Sequence, residues 1–471
     1  MSTLRGVPRG RKQVRIGAAD PSLTGSAGLL AVHELAERVG LVAALDTAVP
    51  GFKSRRRGCS PGQFALALAA AQLTGADHLV GLDHRRADLV AESFAGCLTP
   101  ASSSVTALAR RLEAPQWAAL TAATASVTAR VLALSSPRAR RALRGPVTID
   151  LDATDIEVYG KRKQAVTYNY QGQLTGRVHA ATWAEAGLLT AARLTDSRTT
   201  PHTTVVDLVT EAMSWLTTAG ATGPRKPRPR VRADIGYCSK TTAASVVAAG
   251  ADFAFGQQRQ PKIWLLLDRI DPDAWTPAID MRHGQVTALD YPYPDWPPGT
   301  RLIVRRVTHR ADTISADPRA RRRRTLAPGQ LALALTASIE TIHSYSFILT
   351  NLDTTTPAKA SEVEYWHRHR TDIEELFKQA KHGAALRHLP SGDHSVNTAW
   401  VMTAFLAVTL TRWLHLLLDH TAHIGITRWR RELINTPGRL VTHARARTLR
   451  CPPGTILPTV LARIRALPTP A

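Results

Sequence analysis

After Pro146 the apolar residues change period, and that change constrains the architecture more than any other feature of the chain. Val147, Ile149, Leu151 and Ala153 alternate with Thr148, Asp150, Asp152 and Thr154, the pattern of a strand with two distinct faces. The alternation puts Asp150 and Asp152 on one face, where two carboxylates repel unless a cation stands between or beside them. An exposed edge strand could carry both in water, but the flanking valine and isoleucine favour a buried strand with a metal-facing acid. Residues 176–187 and 188–194 then read as two strands, turned at Glu185-Ala-Gly187. Thr200-Pro201 opens a helix running to about Trp215, and Val231 to Tyr237 holds a short strand ending at Gly236, with Ser239 capping the next helix. Asp234 therefore lies at the carboxyl end of a strand, where open α/β sheets place their chemistry; a lone Asp there also serves as a turn or cap residue. Ala251 to Gly256 is the next strand, so the central region reads as α/β.

A second constrained stretch runs from Tyr365 to Lys381, without Pro or Gly and rich in good helix formers, and it reads as one helix. At about 100° per residue His367, Glu374 and Lys381 stack, with Arg370 and Lys378 a turn away on the same side. Ile373, Leu376, Phe377 and Ala380 form an apolar flank. The helix thus presents one carboxylate among basic and imidazole groups. A solvated face with a Glu374/Lys378 pair, worth a few tenths of a kcal/mol, explains the same pattern.

Charge bears on the partner. Sixty Lys and Arg against 37 Asp and Glu leave the 471-residue chain at +23, which favours a polyanion, nucleic acid before an anionic membrane. Residues 1–24 form a basic arm. Residues 25–145 are Ala- and Leu-rich with helical spacing, including a helix capped by Ser60 with Pro61 at its first position. Pro100 to Leu112 suits the second helix of a helix-turn-helix, with Arg110 and Arg111 facing a groove, and equally suits an ordinary bundle. The run Arg319-Ala-Arg-Arg-Arg-Arg324 makes Arg321 and Arg322 candidate DNA contacts, and residues 421–471 carry nine Arg and one acid. Four scattered cysteines fit a reducing cytosol. The apolar run from Ala399 to Leu410, closed by Arg412, is too short to span a bilayer. A soluble, cytoplasmic, nucleoid-associated protein is expected.

Arg370, three residues, Glu374, six residues, Lys381 resembles the Tyr-x2-Arg-x3-Glu-x6-Lys signature of bacterial insertion-sequence DDE transposases. His367 stands where that family has Tyr. Asp152-Ala-Thr154 is similar to the family's first-strand Asp-x-Thr, and Arg232-Ala-Asp-Ile-Gly-Tyr237 to its second Asp block. With Gly58-Cys-Ser-Pro-Gly62 and Pro100 to Leu112, these blocks resemble the group named after insertion sequence thirteen-eighty. The resemblance implies a ribonuclease H-like core over residues 146–257 and 344–420, interrupted by a β-rich insertion at 258–343. It further implies an N-terminal all-α DNA-binding domain and a helical basic C-terminal region. It makes Asp152, Asp234 and Glu374 the catalytic carboxylates, prefers Asp152 to Asp150 as the first metal ligand, and calls for two Mg²⁺ or Mn²⁺ ions. Arg370, Lys378, Lys381 and His367 would then face DNA, the partners being double-stranded transposon ends and target and a second copy of the chain. Trp264, Trp275 and Trp296 are options for stacking on a flipped base. A catalytically inactive DNA-binding descendant, or a nuclease without strand transfer, has the same sequence features.

Overall fold

The alternating run after Pro146 forms the central strand of the sheet. The computed structural model describes residues 16–53, 58–96, 98–315, 317, 319–327, 329–336, 339–419 and 424–469. Its core strands are β1 (Thr148–Glu157), β2 (Leu174–Trp183), β3 (Leu188–Asp196), β4 (Arg230–Ala233) and β5 (Asp252–Gln257). β2 and β3 form the expected antiparallel hairpin on one side of β1, and β4 and β5 run parallel to β1 on the other. The order β3-β2-β1-β4-β5 and the strand–strand–strand–helix–strand–helix–strand succession are consistent with a ribonuclease H-like core.

The insertion does not stand apart as a β domain. Its strands β6 (Gly284–Asp290) and β7 (Arg301–Arg310) join β8 (Thr341–Thr350), which pairs antiparallel with β5, so the insertion prolongs the same sheet. The three tryptophans of this region are packed rather than presented. Trp264 meets Tyr345 and Phe347 edge-on, Trp296 meets Phe253 and Tyr291, and the Arg306 guanidinium lies 4.0 Å from the Trp275 ring.

The N-terminal helices include α1 (Leu29–Arg38), α2 (Pro61–Thr74), α3 (Ser102–Ala109) and α4 (Ala114–Leu134). The Ser60 hydroxyl accepts from the Gln63 N–H and the Gln63 side chain returns the bond, a capping box that sets the start of α2. Two helices cover the sheet, α5 (Pro201–Thr218) and α6 (Lys240–Ala248); α7 (Pro357–Arg368) and α8 (Asp372–Lys378) follow the last strand. Helix α9 (His394–Leu417) is the hub, packed on α2, α3, α4 and β3. Buried side chains of the N-terminal helices and of the sheet belong to one apolar cluster, so position 145 marks a change of secondary structure and not a break in the core. Polar pins cross the layers: Gln72 donates to the Trp400 carbonyl, and the Trp413 and Trp215 indoles to the Thr128 and Thr124 hydroxyls. By length and composition α4 and α9 could each cross a membrane, α9 being longer than its apolar run; α9 is mostly enclosed by the protein's own core.

The C-terminal region is not simply helical. Gly438–His443 and Ala446–Arg450 form a hairpin that pairs with Leu23–Thr24, and α10 (Leu457–Arg465) packs on α1. Several of its arginines are spent on docking. Arg465 forks onto Glu34, Arg439 meets Asp20, and Arg430 binds the carbonyls of Leu73, Gln72 and Gly383. The arm at residues 1–15, Arg55 to Arg57 and the side chain of Arg321 lie outside the described residues.

Candidate active site

The stretch from Tyr365 to Lys381 is two helices, not one. Helix α7 stops at Arg368, α8 starts at Asp372, and a π-turn covers Gln379–Gly383. The break has a tertiary cause. In a continuous helix the Trp366 carbonyl would accept from the N–H of Arg370, but here it accepts from Arg232 of β4. The His369 ring donates to the Tyr365 carbonyl at 2.6 Å and lies tilted against the Tyr365 ring, 4.1 Å between ring centres. The chain restarts where Asp372, Glu374 and Glu375 occupy the first turn, favoured by the positive end of the helix dipole. Ile373, Leu376, Phe377 and Ala380 are buried, so the apolar flank lies where its spacing put it.

The break turns Arg370 inward, with its guanidinium 3.6 Å from the Asp152 carboxylate and both side chains mostly covered. Asp152 stands midway along β1, Asp234 directly after β4, and Glu374 on the first turn of α8. Burial pushes the Asp152 carboxyl from an ordinary value near 3.8 up to about 6. Arg370 pulls it down, and the charges of Asp234 and Glu374 push it further up. The three predicted carboxylates are therefore brought into one electrostatic neighbourhood. Asp234 also caps the short turn Ile235–Tyr237, accepting the Gly236 N–H at 2.9 Å. Glu374 is exposed.

Asp150, the alternative first ligand, is engaged elsewhere as it lies. Its side chain is 0% exposed and is gripped by Arg232, whose Nε and second nitrogen bond its two oxygens, the latter at 3.1 Å. The parallel register sets Asp150 opposite Arg232, and Arg232 also reaches Asp372 at 3.2 Å, so this acid is consumed in a buried clamp.

The expected DNA-facing groups divide. Lys378 is exposed and pairs with Glu375, not Glu374. His367 is not a cation turned to solvent: its ring donates to the Ala233 carbonyl at 3.2 Å, and burial pushes its pKa down to about 3. Lys381 likewise turns inward, its ammonium bonded to the Thr154 hydroxyl and the Asp155 carbonyl, because the π-turn shifts its phase. Just after α3, Arg110 bridges to Asp393 with its side chain 64% exposed, and Arg111 donates to the Phe52 carbonyl. Arg322 is exposed. Sequence reasoning missed Arg232, Asp372 and Trp366, whose indole donates to the Thr148 hydroxyl. It also missed the buried Tyr237, whose hydroxyl meets His179 at 2.8 Å below the acids.

A family model described as Transposase DDE domain group 1 matches residues 7–316 and 335–469. The chain belongs to that family. Among solved structures it is similar to a piggyBac transposase synaptic complex with hairpin DNA, at 9% identity and a TM-score of 0.39, over 86% of this chain and 79% of that one. No curated protein sequence matches.

Among the described residues no three His, Cys, Asp or Glu side chains stand close enough to hold a metal ion as they lie. The donor chemistry of this transposase still fits one. Three carboxylates supply the oxygen ligands that hard divalent cations take, and Asp152, whose pKa burial raises and the Asp234 and Glu374 charges raise further, is a carboxylate that a cation would relieve. In the metal-free protein this charge is costly. A carboxylate whose folded pKa is raised destabilises the fold above that pKa and not below the unfolded value. Asp152→Asn is expected to raise metal-free stability at pH 8 by up to about 3 kcal/mol. The advantage should shrink as pH falls through 6 and vanish only well below the ordinary value of 3.8, where both states hold the proton. Melting curves in EDTA at several pH values measure it.

Proposed function

We propose that this transposase is a cut-and-paste enzyme of a bacterial insertion sequence, resembling the thirteen-eighty group, with Asp152, Asp234 and Glu374 as its catalytic carboxylates. What supports the reading is that Asp152 lies on β1, Asp234 directly after β4 and Glu374 on the first turn of α8, near enough for the last two charges to act on Asp152. Asp152, Asp234 and Glu374 would hold two Mg²⁺ or Mn²⁺ ions. Such ions would supply charge to stabilise the entering and leaving oxygens of a phosphoryl transfer.

The rest falls to the chain's own side chains. Arg370 neutralises Asp152 while DNA is absent and would meet a scissile-strand phosphate when DNA binds, for which its planar fork suits it. Lys378 offers a point charge on the exposed side of α8. The bound end is then attacked at phosphorus by water, releasing a 3′-hydroxyl, and that hydroxyl attacks target DNA in turn. The chain recognises its terminal inverted repeats and works as a homodimer on DNA.

The test is incubation of the full chain with labelled duplex carrying the inverted repeats that flank its own gene, with Mg²⁺ or with EDTA. Nicking at the repeat boundary in Mg²⁺ alone supports the reading. Binding without nicking under either condition would sink it in favour of a DNA-binding descendant.

A further inference from the structure

The loop from Val158 to Gln173, between β1 and β2, has no part in the site described above, yet it displays three tyrosines. Tyr159 is 90% exposed, Tyr168 55% and Tyr170 89%. The loop also carries Lys161, Arg162 and Lys163 and contains no acid. Such rings add little to folding and cost solubility, so their grouping on one acid-free loop calls for a partner.

The loop is built rather than loose. Asn169 folds its tip, accepting the N–H groups of Gln171 and Gln173 and donating to Asp155, which Arg177 holds in a fork. Gly172 takes the left-handed conformation the tip needs, with φ of 76°. Lower down, Lys163 binds the Leu389 carbonyl and the Gln164 N–H meets the Gly392 carbonyl, tying the loop to the segment before α9. The two limbs are held apart as well. Glu157 and Thr167 both pair with Thr175, from opposite sides of β2, which separates them by about two strand spacings, or ~10 Å. The platform begins where β1 ends, about 17 Å along the strand from Asp152 at ~3.3 Å per residue.

Exposed rings on an ordered loop, interleaved with cations and with no acid, suit unpaired bases, whose flat faces stack on aromatics while the backbone meets positive charge. Inside a duplex those faces are already stacked. We propose that the 158–173 loop is a stacking platform for unpaired bases of a DNA end beside the active site, with Tyr159 and Tyr170 as its principal rings. This rests on the transposase reading above.

The full chain, in EDTA so that only binding is read, is titrated into a short blunt duplex and into the same duplex with an unpaired 3′ tail containing 2-aminopurine. Wild type should bind the tailed DNA about tenfold more tightly and quench the 2-aminopurine by stacking. Tyr159→Ala combined with Tyr170→Ala should lose both the preference and the quench while keeping blunt-duplex affinity, and the Phe counterparts should retain them. Blunt binding by wild type with neither preference nor quench overturns the platform and leaves the transposase reading standing. Failure to bind either DNA removes both. A changed oligomeric state in the Ala variant, with DNA binding intact, would reassign the surface to contact between copies and overturn the proposal.

Discussion

Glu374→Gln should abolish metal-dependent cleavage of the element end while leaving DNA binding intact. The change keeps the side chain's size and removes its charge. Glu374 is exposed on the first turn of α8 and anchors no buried contact, so folding should be unaffected. Loss of one metal-holding carboxylate should lower the cleavage rate by about a thousandfold or more, on the order of 4 kcal/mol of transition-state stabilisation. A single-turnover nicking assay beside a mobility-shift titration measures both. Cleavage by the variant at the wild-type rate would remove Glu374 from the triad. Glu375 and Asp372 on the same turn would then be tried, although Asp372 is already engaged by Arg232.

The candidate triad was legible because each member sits on a local pattern. Asp152 lies on a strand of period two, Asp234 at a strand end followed by a helix cap, and Glu374 among acids that favour a helix start. The core order was legible for the same reason. The helix break was not, because its cause is Arg232, which lies 134 residues away in sequence and takes a carbonyl from within α7. Asp150 and Asp152 look alike on the strand, and only the register opposite Arg232 tells the buried partner from the facing acid. Net charge points to a polyanion without telling which arginines would meet it. The tail is rich in arginine and Arg110 and Arg111 follow α3, yet Arg465, Arg430 and Arg110 hold one element to another, and composition cannot tell a docking cation from a phosphate-binding one. The insertion gave strand signals but no sign that β8 would pair with β5.

The largest effect on stability should come from Arg232→Met. This side chain joins three elements: Asp150 on β1, the Trp366 carbonyl at the end of α7, and Asp372 at the start of α8. It also lies against the Trp366 ring, 5.3 Å from its centre. Methionine restores apolar volume but leaves the fully buried Asp150 without its counter-charge, which should cost about 3–5 kcal/mol. Denaturant midpoints at pH 7 measure it, and Asp150→Asn in the same chain should recover part of the loss because the stranded charge is gone. The double variant should remain impaired in cleavage. Removing the charge at Asp150 does not return a donor to the Trp366 carbonyl or a partner to Asp372, and those two contacts fix the angle at which α8 presents Glu374. If the double variant folds and cleaves like wild type, Arg232 serves the core alone; if Arg232→Met costs under about 1 kcal/mol, the clamp does not hold the break at all.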